Sequence, residues 1–464
     1  KNEKIKLEDG QKFTLVNEDI VGDKDKVSVS YKELYKDLKP GSKVLIDDGA
    51  IELVVDEIVG KDIVCTVVHG NGLGSRKTMN LPGTIIRLPA LAEKDINDLK
   101  TACEHDYDFV AVSFARNTDD VAQVRKVLDE NGGKDIKIIT KVENVEGLEN
   151  MESIIEAADA QMIARGDMAT ETDFTEPPVM QKKFIKLSNK ASKPAITATQ
   201  MLESMTFQPL PTRAEASDVA NAIYDRTSAI MLSGECAMGK YPVECVKTMV
   251  KIANRVEPEI NYWKRFEQNE NIDLSSELSK IAYSTCVTAK TLNADAIVCY
   301  THTGDAARTL SGLGAGCPIL AITDKRRTFN QLALAWNVTP VLVDEHENVK
   351  DTINAGIERK TLDEIANSIN GNTVSLHGGR FVSWLVAKEL DKRGIDEIII
   401  TDSNPWIERV TVNNLQEELN ASVHIGHCND RDSGYIAKES IITTTIPKIH
   451  NAIKEKIPHA INII

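Results

Sequence analysis

The sequence predicts an α/β protein whose centre is a parallel, barrel-type sheet, preceded by a small all-β domain and followed by further α/β structure. Three observations carry this. From about residue 89 to 249, apolar strand-like runs of five to eight residues alternate with amphipathic helical patterns such as DDVAQVRKVLDENG. Repeated βα units with apolar strands imply a parallel sheet with helices outside. Each of five runs ends in polar or glycine-containing chemistry, SFAR, TKVEN, ARGD, TATQ and LSGE, and in a parallel barrel reacting groups collect at the C-terminal strand ends, so these ends point to one mouth. No GxGxxG follows any of them, as an open dinucleotide-binding sheet would require.

In chain order, residues 1–84 carry short alternating or β-branched runs (KFTLV, KVSVSY, KVLIDDG, IELVVDEIV, DIVCTVV) punctuated by PGS, DDG, GNGLG and LPG, the pattern of a small β domain. Residues 85–262 hold the five strands DFVAVSF (108–114), IKIITKV (136–142), AQMIAR (160–165), PAITAT (194–199) and SAIMLS (228–233). After the charged linker WKRFEQNENIDL, residues 274–360 read as α/β with strands DAIVCY, PILAIT and TPVLV. Residues 361–464 read as another α/β segment, with TVSLHGG, the helix FVSWLVAKELDKRG, DEIIITDS and ESIITTT. Gly378–Gly379 does not have phosphate-loop spacing and reads as a plain strand-to-helix turn.

A chain of 464 residues with 42% hydrophobic content buries large cores, and a size of about 150 residues per domain suggests three domains. The formal charge of −15, from 55 basic and 70 acidic residues, argues against a broad nucleic-acid or membrane surface. An anionic substrate must then be held by a few local Lys, Arg and backbone N–H groups. No apolar run approaches the roughly 20 residues of a bilayer span, and KNEKIKLEDGQ lacks the apolar core of a signal peptide. The expectation is a soluble, cytoplasmic protein. Eight cysteines without a CxxC pair read as reduced core thiols.

The strand ends carry the candidate chemistry. Lys141 and Glu143, at i and i+2, share a face at the end of a buried strand. The ammonium suits a phosphate or oxyanion and the carboxylate a metal, although K-x-E also suits a solvated strand face. Asp167, after Gly166, offers hard oxygen ligands of the kind Mg2+ prefers, or simply caps a helix. Thr197, Thr199 and Gln200 end the next strand, and Arg213, Glu215, Asp218, Ser233 and Glu235 follow, residue types that also serve as caps and salt bridges. The nine scattered histidines suggest no Ser-His-Asp or Cys-His arrangement.

KVENVEG, ARGD, ITATQMLESM, PTRAEASDVANAIYD and MLSGECAMGKYPVE, in this order and spacing, resemble the pyruvate kinase family. LIDDG, GSRKTMNLPG and LPALAEKDINDL resemble its β lid and the return from it, and the likeness covers about residues 1–360. The resemblance implies a (β/α)8 TIM-type barrel interrupted by the lid, with an α/β C-terminal domain. It implies phosphoryl transfer from phosphoenolpyruvate to ADP, giving pyruvate and ATP in glycolysis. By position, Lys141 faces the transferring phosphoryl group and the enolate oxygen, and Glu143 and Asp167 ligate Mg2+ or Mn2+. The backbone around Arg165, Gly166 and Asp167 receives the substrate carboxylate. Thr199 lies on the side where the enolate is protonated, Ser233 near the proton-delivery path, and Lys77 of the lid reaches nucleotide phosphates. K+ and a homo-oligomer, a tetramer in the family, are implied as well.

Departures qualify the resemblance. The family's barrel segments before the lid, with a substrate-binding arginine, most monovalent-cation ligands and an Asp-Thr-Lys-Gly strand, have no counterpart here. The expectation is a barrel of strands 4–8 with two open edges, and poor turnover by this chain alone. The family's Gly-Asp-Leu-Gly is Gly166-Asp167-Met168-Ala169, its Asp-Gly-Thr/Ala is Asp225-Arg226-Thr227, and its Lys-Gly after the lid serine is Lys77-Thr78. THTGDAAR (301–308) places Asp305 and Ala306 at phosphate-contact positions of an effector loop, which disfavours an anionic effector. The tail is faintly similar to the opening unit of citrate-lyase or CoA-transferase α chains. Two other readings stand beside the leading one: a Mg2+-dependent oxo-acid lyase on a barrel, and a fragmentary binding homologue without turnover.

Overall fold

The computed structural model describes residues 4–47, 49–269, 272–294 and 296–344, with the backbones of five strands beyond them. Two units result, Lys1–Leu187 with Ala195–Asn254, and Ser188–Pro194 with Arg255–Ile464.

In the first unit the β domain is a six-stranded sheet in the order Lys26–Ser28, Lys12–Val16, Asp62–His69, Ile51–Val59, Lys43–Ile46 and Met79–Asn80. Its longest hairpin turns at Gly60, whose φ of +63° suits glycine. Period-two alternation sends Ile51, Leu53 and Val55 from one strand, and Ile63, Cys65 and Val67 from the other, into a core with Phe13, Leu15 and Val44.

The second sheet of this unit is wholly parallel. Its order is Ala229–Ile230, Ala195–Ala198, Ala160–Ala164, Lys137–Lys141, Phe109–Val112, so that neighbours in the chain are neighbours in space. That is how successive right-handed βα units wind a barrel wall. All five strands expected from the sequence are present, each within its expected run; that at 228–233 shrinks to Ala229–Ile230, an edge strand among the described residues. The intervening helices start on local signals. Asn117 accepts hydrogen bonds from the Asp119 and Asp120 amides, and Thr212 with Glu215 forms a reciprocal capping box. Helix Thr118–Glu130 buries Val121, Val124 and Leu128, spaced i, i+3, i+7.

Three non-glycine residues just beyond the strand ends adopt left-handed backbone: Phe114 (φ 54°), Thr199 (φ 73°) and Gln200 (φ 54°). For a β-branched residue such as Thr199 this is strained and persists only where surroundings enforce it. Arg226 (φ 68°) does the same where the family pattern has glycine.

In the second unit, Ala296–Tyr300, Ile319–Thr323 and Val338–Leu342 pair in parallel over a core that includes Cys286, Leu292, Ile297, Leu310 and Leu332. Residues on both sides of 360 contribute to one eight-stranded sheet, ordered Val338–Leu342, Ile319–Thr323, Ala296–Tyr300, Ala460–Ile463, Glu439–Thr443, Thr373–His377, Glu397–Thr401, Ser422–Ile425. The described cysteines are all free thiols, and burial pushes Cys65 and Cys299 up to about 12, so both are inert at neutral pH. Cys428, Gly378–Gly379 and the helix expected at 381–394 lie outside the described residues.

Candidate active site at the strand ends

Lys141 is the last residue of its strand, and its side chain is 21% exposed. Its Nζ lies 2.8 Å from Glu143 Oε1 and donates to Ser113 Oγ at 3.0 Å. The expected pairing of ammonium and carboxylate is therefore present, and a solvated strand face is not what forms: the Glu143 side chain is fully buried. Glu143 Oε2 accepts the Phe114 amide at 2.8 Å, an amide aimed by the left-handed turn at that residue. Oε1 is held by the Lys141 ammonium alone. Burial lifts the Glu143 carboxyl above the usual carboxylate range; Lys141 and the Phe114 amide oppose this, and the charge of Asp167 adds to it.

Asp167 stands in the first turn of helix Arg165–Glu171, which starts directly from strand Ala160–Ala164. Ala164 is the N-cap, so Asp167 does not cap the helix. Its half-buried carboxylate acts electrostatically on both Glu143 and Glu171. Gly166 is required by close packing: a Cβ there would come within 2.8 Å of Thr199 Cγ2.

The Arg165 guanidinium turns toward the neighbouring strand end. Its Nε donates to the Ala198 carbonyl (3.1 Å) and Nη2 to the Thr199 carbonyl (2.7 Å), while Nη1 lies 2.7 Å from Asp218 Oδ1. The clamp holds Thr199 in its left-handed conformation. Gly166→Ala should accordingly push Thr199 off its position and lower turnover by up to about 10², the scale of a misplacement of around 1 Å, while the thermal midpoint moves by only a few degrees. Steady-state kinetics with calorimetry checks this.

Ser233 is exposed at the end of the last strand. Its amide donates to Oε2 of buried Glu235 at 2.8 Å, and Glu235 Oε1 accepts the Leu202 amide at 3.1 Å, so one carboxylate ties two strand ends together. In the β domain Lys77 pairs with Asp47 at 2.7 Å. Thus Lys141, Glu143, Ser113 and Phe114 meet directly, Arg165 and Gly166 meet Thr199, and Asp167 is linked to Glu143 through space. No bond among the described residues joins Ser233 or Lys77 to them. Sequence reasoning missed the Phe114 amide, whose role depends on φ, and Glu171, which sits four residues after Asp167 and so on the same helix face. Among the described residues no group of three or more His, Cys, Asp or Glu side chains could hold a metal; the candidate set is two carboxylates.

In the second unit Asp305 is bonded to Arg308 Nη2 and to Thr303 Oγ1, each at 2.7 Å, so this loop engages its own carboxylate.

A family model described as the pyruvate kinase barrel domain matches residues 1–246. The pyruvate kinase of Clostridium acetobutylicum is 46% identical over 357 residues, 77% of this chain and 76% of that protein. The chain belongs to the pyruvate kinase family. The likeness extends to the pyruvate kinase of Staphylococcus saprophyticus, 37% identical over 97% of this chain and 76% of that protein. The crystal structure of a pyruvate kinase from Cryptosporidium parvum superposes with a TM-score of 0.74 at 35% identity, covering 80% of this chain and 76% of that one. A second model, described as FeGP cofactor biosynthesis protein, fibrillarin family, matches residues 342–463. As a pyruvate kinase homologue the protein is a phosphotransferase, passing the phosphoryl group of phosphoenolpyruvate to ADP. These likenesses favour neither the lyase nor the binding-only reading. Among the described residues no helix is long and apolar enough to cross a membrane.

Proposed function

We propose that Lys141, Glu143, Asp167 and Thr199 form the phosphoryl-transfer site, with Mg2+ or Mn2+ held by Glu143 and Asp167. The observation that carries this is the fully buried Glu143 carboxylate, paired with the Lys141 ammonium at 2.8 Å and close enough to Asp167 to feel its charge. Hard carboxylate oxygens from two adjacent strand ends suit a small divalent cation. When bound, the ion supplies positive charge to phosphoryl oxygens. Lys141 supplies a fixed positive charge at the transferring group and the enolate oxygen, where a loose transition state needs positioning more than covalent help. The backbone of Arg165, Gly166 and Asp167 takes the substrate carboxylate, while the Arg165 side chain acts by positioning Thr199. Thr199 flanks the face where the enolate is protonated, and Ser233 lies on the proton-delivery side.

In this reading residues 1–84 form the lid, whose Lys77 exchanges Asp47 for nucleotide phosphates; residues 85–262 carry strands 4–8 of the catalytic barrel, residues 274–360 the C-terminal domain, and 361–464 an added α/β segment. K+ assists as in the family, although its main ligands have no counterpart in these residues. A homo-oligomer, a tetramer in the family, in the cytoplasm completes the proposal. Calorimetric titration with Mn2+ should give one site per chain, tightened by phosphoenolpyruvate. A protein that takes up no Mn2+ with or without phosphoenolpyruvate overturns the assignment.

A further inference from the structure

The chain leaving the β domain is gripped from the barrel side at two places. Glu171, 8% exposed, accepts both the Asn80 Nδ2 (3.0 Å) and the Leu81 amide (3.2 Å) on its Oε1; Asn80 is itself 3% exposed. Arg116 donates Nη1 to the carbonyls of Ile86 (3.1 Å) and Leu88 (2.9 Å), while Nε and Nη2 hold Asp120 at 2.9 and 3.0 Å. Between these grips lie Pro82, Gly83 with φ +70° and open space around it, Thr84, and Ile85, which is 75% exposed.

Each grip also adjoins one of the two candidate metal carboxylates. Glu171 sits one turn beyond Asp167 on the same helix face. Arg116 lies two residues after Phe114, whose amide holds Glu143. We propose that Glu171 and Arg116 are positioning residues, Glu171 pinning the β domain and Arg116 the chain that leaves it to the metal site, with residues 82–85 as the hinge between the pins.

Burial of Glu171 is costly for a carboxylate, since desolvation raises its proton affinity and the charge of Asp167 adds to this. A glutamine would accept the same two hydrogen bonds without that cost. The charge gains a purpose if it reads the metal: a divalent cation on Asp167 offsets the repulsion between the two carboxylates and favours charge-assisted bonds from Asn80 and Leu81. By reciprocity, tightening the pin tightens the metal. The inference rests on Asp167 being a metal ligand.

Hydrogen exchange in peptides spanning residues 79–88, with and without Mn2+, tests it, because the Leu81 amide is the reporter. In the unsubstituted protein Mn2+ should slow exchange there by about tenfold, the scale of one strengthened hydrogen bond. Glu171→Ala should speed exchange about tenfold without metal and abolish the response. Glu171→Gln should keep the metal-free protection and lose the response. Unchanged exchange in Glu171→Ala, or a full metal response in Glu171→Gln, overturns the proposal; should the alanine variant not fold, the glutamine variant decides alone. Absence of Mn2+ binding by calorimetry sinks the metal-site reading instead, and the metal-free alanine comparison still decides the pin.

Discussion

Lys141→Met should lower turnover by about 10² or more, the scale of losing one preorganised electrostatic contact. Methionine keeps the length and the apolar stem, so the strand end is not expected to unravel. What disappears is the ammonium between Ser113 Oγ and Glu143 Oε1. The loss has two parts. The transferring phosphoryl group loses its fixed positive neighbour, and Glu143 loses the charge that opposes the effect of its burial. A Lys141→Arg variant separates them, since it restores charge but not the compact head that fits between Ser113 and Glu143. Turnover within a fewfold of the unsubstituted protein in Lys141→Met would remove the lysine from the chemistry.

Glu143→Gln should produce effects of opposite sign: loss of divalent-metal binding and a gain in thermal stability of the metal-free protein. The carboxyl has its folded pKa raised by burial. Below the ordinary carboxylate value, near 4.3, it is protonated in both states and costs nothing. As pH climbs through that value the unfolded chain ionises first, so stability drains away until the folded group ionises too, and the penalty persists at neutral pH. The amide removes this slope. Lys141, left without its partner, is 21% exposed and regains hydration. A gain of about 1 kcal/mol, or roughly 2–4 °C for a unit of this size, should appear at pH 8 and shrink toward pH 4. Scanning calorimetry in a chelating buffer measures it, and a variant that melts lower than the parent at pH 8 would show that the Lys141 pairing outweighs burial. Asp167→Asn should also abolish divalent-metal binding.

Much of this site was legible in the residues because parallel strands buried on both faces read as apolar runs, and a polar group at the end of such a run stands out. Lys141 and Glu143 were found by their two-residue spacing and do meet. The direction of the Arg165 side chain was not legible, since ARGD fixes only its place at a strand end, and only tertiary contacts with Ala198, Thr199 and Asp218 decide it. The Phe114 amide escaped because nothing in SFAR announces a left-handed backbone at a bulky residue. In the second unit, the placing of Ala460–Ile463 beside Ala296–Tyr300 joins segments far apart in the chain, a pairing local patterns cannot specify.

The parallel sheet from Phe109–Val112 to Ala229–Ile230 adds its strands strictly in chain order. On a ribosome emitting about 5–20 residues per second, each new strand therefore emerges to find its only required template already made. Its exposed growing edge at any moment is one strand wide, and each connection that must close spans only one or two helical segments. Assembly of this wall can keep pace with synthesis, and its aggregation-prone intermediates live only as long as translation of the next βα unit. Slow codons within the helices that follow each strand would prolong that exposure, because the new edge stays open until the next strand pairs with it.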